Sequence, residues 1–523
     1  MAKKFVCSNT TPIVKTKQGM LRGYQYGDMY YFKGIKYADS ERFRMPQPVK
    51  PWDGIKEAQL YGYCCSVLNP YPVDKNLIVP HRYWHDSEDC QYLNIWTKSI
   101  SEEAKKPVMV WIHGGGYENG SAIEHVDYEG ENLAEFGDVV VVSVNHRLNI
   151  LGYLDLSSFD DAKYHNSGNV GNADLVVALQ WIQDNIAAFG GNPENVTIFG
   201  QSGGGSKVAD LLQTPSAAGL FHKAIIESGV WNKASNDLMD GRKVALAVLH
   251  QLGLTEADYE QLSIIPYRQL ADAFNAVKEQ LMAEGVSLFW SPIPNDWYMG
   301  DIDKVEICKH AKQIPIMIGS VFGEFIPQYE PEPEKYTENE QRYMVEKVFG
   351  AHTGEIIDAF MEAYPDKPIC YAATVDSVFR IPTLKYIEAW CKKSTAPLYS
   401  WMLTYCFEYM GTYPAWHCSE IPLVMHNIDL IEVYGSEECE KLQAEMCGAW
   451  INFAYTGNPN HSGIVRWPEY TKENGETMIF DRETTVKCFH DKKLMGLLEK
   501  YGYTVISDVL KNEADEDAVA HPY

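Results

Sequence analysis

Short apolar runs recur along the chain, and amphipathic segments lie between many of them. A run of four to eight residues rich in Val, Ile and Met is typical of a strand buried on both faces of a sheet. Five runs have this character: Val108 to Ile112, Val139 to Val144, Val196 to Phe199, Ala224 to Glu227 and Ile314 to Ile318. Because helical patterns lie between many of these strands, the sequence predicts an α/β fold with a doubly wound, mostly parallel sheet.

The segment from Asp174 to Ala188 has helical spacing. Its apolar residues fall on one helix face: Leu175, Ala178, Leu179, Ile182 and Ile186. Glycine, asparagine and proline follow at residues 190–193, which favours termination there. No internal repeat or low-complexity linker interrupts the chain, so we predict one domain over residues 1–523 with helical insertions. The stretch from about residue 511 to 523 is acidic and predicts a flexible tail.

Composition and charge exclude several classes of protein. The 523 residues include 71 acidic and 45 basic side chains, a net charge of −26, which disfavours nucleic-acid and anionic-membrane partners. The first residues lack the apolar core of a secretory signal, and no apolar run approaches the ~18 residues of a membrane span. The twelve cysteines include no C-x-x-C pair. We therefore expect a cytoplasmic protein with reduced thiols.

A glycine-rich turn follows the third predicted strand. Residues 200–204 read Gly-Gln-Ser-Gly-Gly, the G-x-S-x-G pattern, and an apolar helix is predicted from Val208 to Leu212. Glycines on both sides of Ser202 let the backbone take a cramped turn that projects the hydroxyl above the sheet, as in a nucleophile elbow. Ser202 is therefore the candidate nucleophile.

A phosphate-binding Walker loop is the alternative interpretation of the same glycines. That motif needs Lys directly after its last glycine and then Ser or Thr. Here Ser206 separates Gly205 from Lys207, so the pattern disfavours a nucleotide site.

A second glycine run follows the first predicted strand, in the sequence His-Gly-Gly-Gly-Tyr at residues 113–117. Without side chains, such a loop brings backbone N–H groups close to a developing oxyanion, and the residue after the nucleophile supplies another. The predicted oxyanion hole is Gly115, Gly116 and Gly203.

Together with these two motifs, further blocks give the chain a resemblance to the type-B carboxylesterase family, which includes cholinesterases and p-nitrobenzyl esterases. The blocks, in order, begin at Phe32 (FKGIKYA), Arg42 (RF), Ser87 (SEDCQYLNIW), His113 (HGGG), Asn145 (NHRL), Phe189 (FGGNP), Gly200 (GQSGG) and Trp450 (WINFAYTGNP). The resemblance extends over nearly the whole chain and implies an α/β-hydrolase fold and a serine carboxylic-ester hydrolase.

The resemblance also implies the two partners of Ser202. The family's acid lies in a Gly-x-x-x-x-Glu segment after a buried strand, matched from Gly319 to Glu324. Its histidine lies in Gly-Ala-x-His followed by Glu, matched by His417, although Pro414 replaces the glycine. The order Ser, acid, His is the one that α/β-hydrolases use. The implied substrate is a small-molecule ester, and neither a cofactor nor a metal ion is implied.

Further family features carry over by position. The resemblance implies ion pairs of Arg42 with Glu88 and of Arg147 with Asp174. It also places Cys65 and Cys90 at the positions of the family's first disulfide, with Cys64 as an alternative first partner. We interpret the ion pairs as structural, and without a signal segment we expect the cysteines to be free.

Two positions beside the nucleophile depart from the family pattern. The usual Glu-Ser-Ala is Gln201-Ser202-Gly203 here, which removes a negative charge and a methyl group. We hypothesise that Gln201 makes the imidazole of His417 easier to keep neutral.

The sequence does not determine which residues line the substrate pocket. Trp290 and Trp297 flank the family's Pro-x-x-Asp block and are candidate pocket residues, but large aromatics also favour any core. A noncatalytic binding protein is the competing class, since some superfamily members lose the serine. The presence of Ser202, Glu324 and His417 favours the enzyme.

Overall fold

A computed structural model of the protein describes residues 3–69, 79–231, 239–325, 332–408 and 411–503. The tail predicted over residues 511–523 lies outside these ranges. The prediction of one domain stays a prediction.

A twelve-stranded sheet forms the centre of the described structure. In chain order its strands are β1 (Phe5–Val6), β2 (Tyr24–Tyr26), β3 (Met29–Lys36), β4 (Tyr92–Thr97), β5 (Lys106–Ile112), β6 (Val140–Val144), β7 (Gly191–Gln201), β8 (Lys223–Glu227), β9 (Ile316–Val321), β10 (Leu398–Leu403), β11 (Glu476–Phe480) and β12 (Thr485–Cys488). Their order across the sheet is β1-β2-β3-β4-β6-β5-β7-β8-β9-β10-β11-β12. The run from β6 to β11 is parallel, and antiparallel strands flank it at both edges.

Alpha-helices connect and cover the parallel strands. They are α1 (Glu131–Gly137), α2 (Asn149–Tyr153), α3 (Asp161–Tyr164), α4 (Val170–Asn185), α5 (Gly203–Leu212), α6 (Gly241–Gln251), α7 (Tyr267–Ala283), α8 (Glu338–Phe349), α9 (Thr353–Ala363), α10 (Arg380–Lys393), α11 (Ile421–Val424), α12 (Glu437–Thr456) and α13 (Lys492–Lys500). Within the described ranges, no helix has both the length and the apolar character that crossing a membrane would require.

Short strands outside the central sheet form small ribbons in the loops. They are Ile13–Lys15 with Met20–Arg22 and Ile55–Glu57, Ala38–Asp39 with Gln47–Pro48, Cys64–Cys65 with Asp86–Ser87, and Cys406–Glu408 with Thr412–Pro414. The last ribbon directly precedes His417 in the chain.

Helices pack on both faces of the sheet because successive strand residues point to opposite faces. On β5, Met109 and Trp111 join an apolar cluster with residues of α12. Val110 and Ile112 join a second cluster with residues of α4 and α5. All four side chains are buried. A strand that is covered on both faces has a continuous apolar sequence. The helices on both faces confirm the predicted doubly wound sheet.

The five strands predicted from apolar runs correspond to β5 through β9. The last of them begins two residues later than predicted, at Ile316. Ile314 instead closes a 3₁₀ turn by donating to the Ala311 carbonyl, and Pro315 has no N–H to offer a sheet. The predicted helix is α4, whose last turn tightens to 3₁₀ geometry before Gly190 at φ +78°.

Both ion pairs implied by the family resemblance are present. The guanidinium of Arg147 donates to Asp174 at 2.7 and 2.9 Å, and both side chains are buried. Arg42 donates to Glu88 at 2.5 and 2.6 Å. Because Asp174 lies in α4 and Arg147 follows β6, the first pair fixes the helix against the end of the sheet.

The cysteines in the described residues are free thiols. Cys65 and Cys90 are both buried, and burial raises the pKa of the Cys90 thiol well above its usual value, with Cys65 adding to the effect. The structure therefore contains no disulfide at the family position.

Candidate active site

Ser202 occupies the single residue between β7 and α5. Its backbone has φ +56° and ψ −127°, a conformation that costs a non-glycine residue free energy and that surrounding contacts must enforce. Its N–H donates to the carbonyl of Glu227 at the end of β8, at 2.9 Å. The strand, the strained turn and the helix are the predicted context of a nucleophile elbow.

The glycine loop after β5 lies directly against the start of α5. Gly115 and Gly116 have φ of +81° and +61°, which side-chain-bearing residues rarely adopt. A Cβ atom on Gly203 would overlap the carbonyl group of Gly116. The structure therefore brings Gly116 and Gly203 together, with Gly115 next in the chain.

Glu324 and His417 are in direct contact. Glu324 follows β9 by three residues and is fully buried, with φ +41°. Its Oε2 accepts a hydrogen bond from His417 Nδ1 at 2.5 Å. Its Oε1 accepts from Ser228 Oγ at 2.5 Å and from the Val321 N–H at 3.0 Å. These donors hold the carboxylate in one orientation toward the imidazole.

Gln201 connects this pair to the nucleophile turn. Its side-chain Nε2 lies 3.4 Å from His417 Nδ1, and its Oε1 accepts from Cys418 Sγ at 3.2 Å. Since Gln201 directly precedes Ser202, the serine turn and the Glu324–His417 pair meet at the same edge of the sheet.

Three other carboxyl groups are buried around Glu324. Burial raises the pKa of Glu227 to about 8, although Trp450 Nε1 donates to it. Burial, and then the charge of Glu324, raise the pKa of Glu420 and Asp376 well above their usual range. Burial therefore favours the neutral form of these three carboxyl groups, and the carboxyl group that contacts the imidazole is Glu324.

Aromatic rings that the sequence did not single out surround His417. Phe325 and Phe379 lie against the imidazole, with ring centroids 4.3 and 5.1 Å away. Trp231 contacts Phe379, and Phe289 contacts Trp231, each at 5.8 Å. We call Trp231, Phe289, Phe325 and Phe379 the aromatic cluster. Its members come from separate segments, so no local pattern could have indicated it.

The two candidate pocket tryptophans lie in different settings. Trp290 is buried and packs against Phe274 of α7, at 5.4 Å. Trp297 is half-buried in a turn where its N–H donates to Asn295. The ring contact of Trp290 is with Phe274 and not with His417, and the assignment of both tryptophans to the pocket stays a hypothesis.

Lys207 is a further residue whose role the sequence did not indicate. It lies in the second turn of α5, is fully buried, and donates from Nζ to the Gly116 carbonyl at 2.7 Å. The His113 carbonyl lies 3.4 Å from the same nitrogen. Burial lowers the pKa of Lys207 to about 7, although Asp210 and Glu124 favour its charged form. The ammonium ties the glycine loop to the helix that begins after Ser202.

A family model for the carboxylesterase family matches residues 10–496. The chain belongs to the carboxylesterase family. This carboxylesterase is a carboxylic ester hydrolase with an α/β-hydrolase fold, as the resemblance in its sequence predicted.

Relatives of this carboxylesterase include enzymes and solved structures of similar length. The para-nitrobenzyl esterase of Bacillus subtilis (strain 168) is 32% identical over 505 residues, which cover 91% of this chain and 96% of that protein. An esterase from the anaerobe Clostridium hathewayi, described as hydrolysing aliphatic aromatic polyesters, is 46% identical. The match covers 95% of this chain and 100% of the chain of that esterase, with a TM-score of 0.92. A thermophilic p-nitrobenzyl esterase is 32% identical, with a TM-score of 0.73 over 93% and 100% of the chains.

Replacing Lys207 with Met is expected to separate activity from stability in this carboxylesterase. Met removes the donor to Gly116, so the loop beside Ser202 loses its position and kcat falls by about tenfold or more. The melting temperature should fall only slightly, because removing the desolvation cost of the buried ammonium offsets much of the cost of leaving the Gly116 carbonyl without its donor. Kinetics on p-nitrophenyl acetate and thermal unfolding test this.

Lys223→Met is the matched control for this variant. Lys223 is a buried lysine at the start of β8 that bonds to Asn195, and its loss should leave kcat unchanged. An unchanged kcat in Lys207→Met would contradict the positioning role. Losses of kcat and melting temperature that run in parallel in both variants would do the same.

Proposed function

We propose that this enzyme hydrolyses carboxylic esters through a Ser202–His417–Glu324 triad and an acyl-enzyme intermediate. The observation that carries the proposal is the 2.5 Å hydrogen bond between His417 and Glu324, at the sheet edge where Ser202 occupies a strained turn. This arrangement has the three roles of a hydrolytic triad: a nucleophile, a base, and a group that orients the base.

The proposed mechanism assigns a role to each of these residues. His417 accepts the Ser202 proton as the hydroxyl attacks the ester carbonyl carbon, and Glu324 fixes the imidazole tautomer. The backbone N–H groups of Gly115, Gly116 and Gly203 stabilise the oxyanion of the tetrahedral intermediate. The alcohol leaves with the proton from the imidazole, and water then attacks the acyl-serine and releases the acid.

We also propose that the enzyme acts in the cytoplasm on small-molecule esters and binds no nucleic acid. Free cysteines support a reducing compartment. The net charge of −26 opposes association with a polyanion.

The aromatic cluster supports an apolar or aromatic acyl group in the substrate. Trp231, Phe325 and Phe379 are packed in a continuous series from His417 outward, and half-buried Phe289 extends it. Aromatic side chains offer large apolar surfaces that pack well against a planar ring. The Clostridium hathewayi relative, described as acting on aliphatic aromatic polyesters, points to the same substrate class for this chain.

A fluorophosphonate probe that labels active-site serines tests the nucleophile. We expect the probe to label the wild type but not Ser202→Ala, and kcat/KM to fall by about 10³-fold or more, because the acyl-enzyme route is lost. Ser206→Ala, four residues further along α5, should keep both labelling and activity. A wild type that is neither labelled nor active on any ester would instead support a binding protein.

Glu324→Gln and Glu420→Gln are expected to differ sharply in activity. The first removes the charge that orients and stabilises the imidazolium, and kcat should fall by about 10³-fold or more. The second replaces a carboxyl outside the His417–Glu324 hydrogen bond, and burial favours its neutral form by raising its pKa, so kcat should stay close to wild type. Steady-state kinetics of both purified variants decide, and a larger loss in Glu420→Gln would reverse the assignment of the acid.

Phe289→Ala should change acyl selectivity rather than chemistry. We expect the ratio of kcat/KM for p-nitrophenyl benzoate over p-nitrophenyl acetate to fall, because the benzoyl ring loses an aromatic partner. Trp297→Ala is the comparison variant, and we expect its ratio to be unchanged. If only Trp297→Ala lowered the ratio, the pocket would lie against the tryptophan that the sequence singled out.

Release of soluble acids from an aliphatic aromatic polyester film extends the same comparison of Phe289→Ala with Trp297→Ala to a polymer substrate.

A further inference from the structure

Three potential metal ligands converge at a place that the proposed mechanism does not use. They are His81, Glu124 and His125, and one ligand atom from each lies within 4.8 Å of the others. His81 Nε2 and Glu124 Oε2 are 3.6 Å apart. The ligands come from two segments. One is residues 80–82, before Asp86, and the other is residues 124–126, after the glycine loop.

The backbone holds these two segments in register. His81 and His125 form an antiparallel bridge, and the Arg82 N–H donates to the Glu124 carbonyl. The Val126 N–H donates to the Pro80 carbonyl at 3.3 Å. The three side chains are therefore brought together by main-chain hydrogen bonds that do not depend on a bound ion.

The side chains are enclosed but not sealed from solvent. Their relative exposures are 7% for His81, 10% for Glu124 and 20% for His125. An ion could enter past His125 and would then exchange most of its water for protein ligands. Low exposure also limits competition from bulk water for the ligand atoms.

Asp127 provides a second observation that points to a cation. Its side chain is buried, and its Oδ1 has no hydrogen-bond partner among the described residues. The same oxygen lies 3.8 Å from His125 Nδ1. A buried carboxylate beside a histidine is the usual outer partner of a metal-bound imidazole, whose ring it orients.

The donor set selects a class of ion. Two imidazole nitrogens and one carboxylate suit zinc and similar transition-metal ions, whereas calcium and magnesium require mostly oxygen ligands. Ligand atoms about 2.1 Å from a tetrahedral zinc lie roughly 3.4 Å from each other. The 3.6 Å between His81 and Glu124 is close to that value, and the wider separations need movement on the order of 1 Å.

We propose that His81, Glu124 and His125 bind one divalent transition-metal ion, such as zinc, with Asp127 as the outer carboxylate. The ion would join the segment before Asp86 to the segment that leaves the candidate oxyanion loop. Its role would be to stabilise this region, because the site lies outside the triad.

Zinc titration of the chelator-stripped protein tests the proposal. We expect isothermal titration calorimetry at neutral pH to give one zinc per chain with micromolar or tighter affinity. Thermal unfolding should shift upward as zinc is added and then saturate, because an ion that binds only the folded state stabilises it. Cobalt(II) substitution should give the visible absorption of a four- or five-coordinate site without a thiolate charge-transfer band.

Variants assign the binding to these residues. His81→Ala/His125→Ala should lose the calorimetric binding and the thermal shift, and Glu124→Gln, which keeps the side-chain shape, should weaken both. His352→Ala is the matched control, since His352 lies 3.6 Å from Glu355 on the surface. Absence of zinc binding to the wild type would overturn the proposal. Undiminished binding by Glu124→Gln and the double variant, or a thiolate band from a cysteine site, would also overturn it.

Discussion

The close approach of two backbone segments determines the geometry around Ser202. Strands β5 and β7 are adjacent and parallel, with Ile112 opposite Gly200, so the segments that follow them emerge together. Cβ atoms on Gly203 and Gly204 would overlap the carbonyls of Gly116 and Ile112. Only glycine allows α5 to begin this close to the glycine loop. The candidate oxyanion donors depend on that contact, because they are main-chain groups of the two segments.

A packed backbone contact of this kind needs its polar groups satisfied. The Gly116 carbonyl, which lies over Gly203, accepts from Lys207 Nζ. A buried ammonium is costly unless it is hydrogen bonded, and its hydrogen bonds here go to main-chain carbonyls of the glycine loop. The same helix therefore presents the glycine that permits the contact and the lysine that fixes it. Loop position and helix position are coupled through one side chain.

Local signals in the sequence predicted the central part of the fold. The parallel strands and α4 were predictable because burial on both faces leaves apolar runs, and burial on one face leaves helical spacing. The short antiparallel strands at the sheet edge were not, since β1 and β2 are two and three residues long and carry no period. Burial on β9 was correctly predicted, but its first residue was not, because Pro315 shifts the start.

The candidate site was predictable only in part. The glycine motifs around Ser202 and Gly115 have a physical signature in the sequence, whereas Glu324 and His417 were found through family resemblance. The aromatic cluster consists of residues far apart in the chain, and the potential metal site combines His81 with a distant pair, Glu124 and His125. Their proximity is produced by tertiary packing and by an isolated bridge, and neither leaves a local pattern.

We interpret the departure at residue 201 as electrostatic. Gln201 contacts His417 and Cys418, in the region where Glu324 and Glu420 are buried. A carboxylate at this position would add a charge to a group of acids in which burial and like charge already raise the pKa of Glu420. An amide instead offers both a donor and an acceptor without charge, and its oxygen accepts from the Cys418 thiol. With a neutral residue at position 201, Glu324 is the carboxylate in contact with the imidazole of His417. In this interpretation, that one oriented carboxylate stabilises the imidazolium that forms during catalysis.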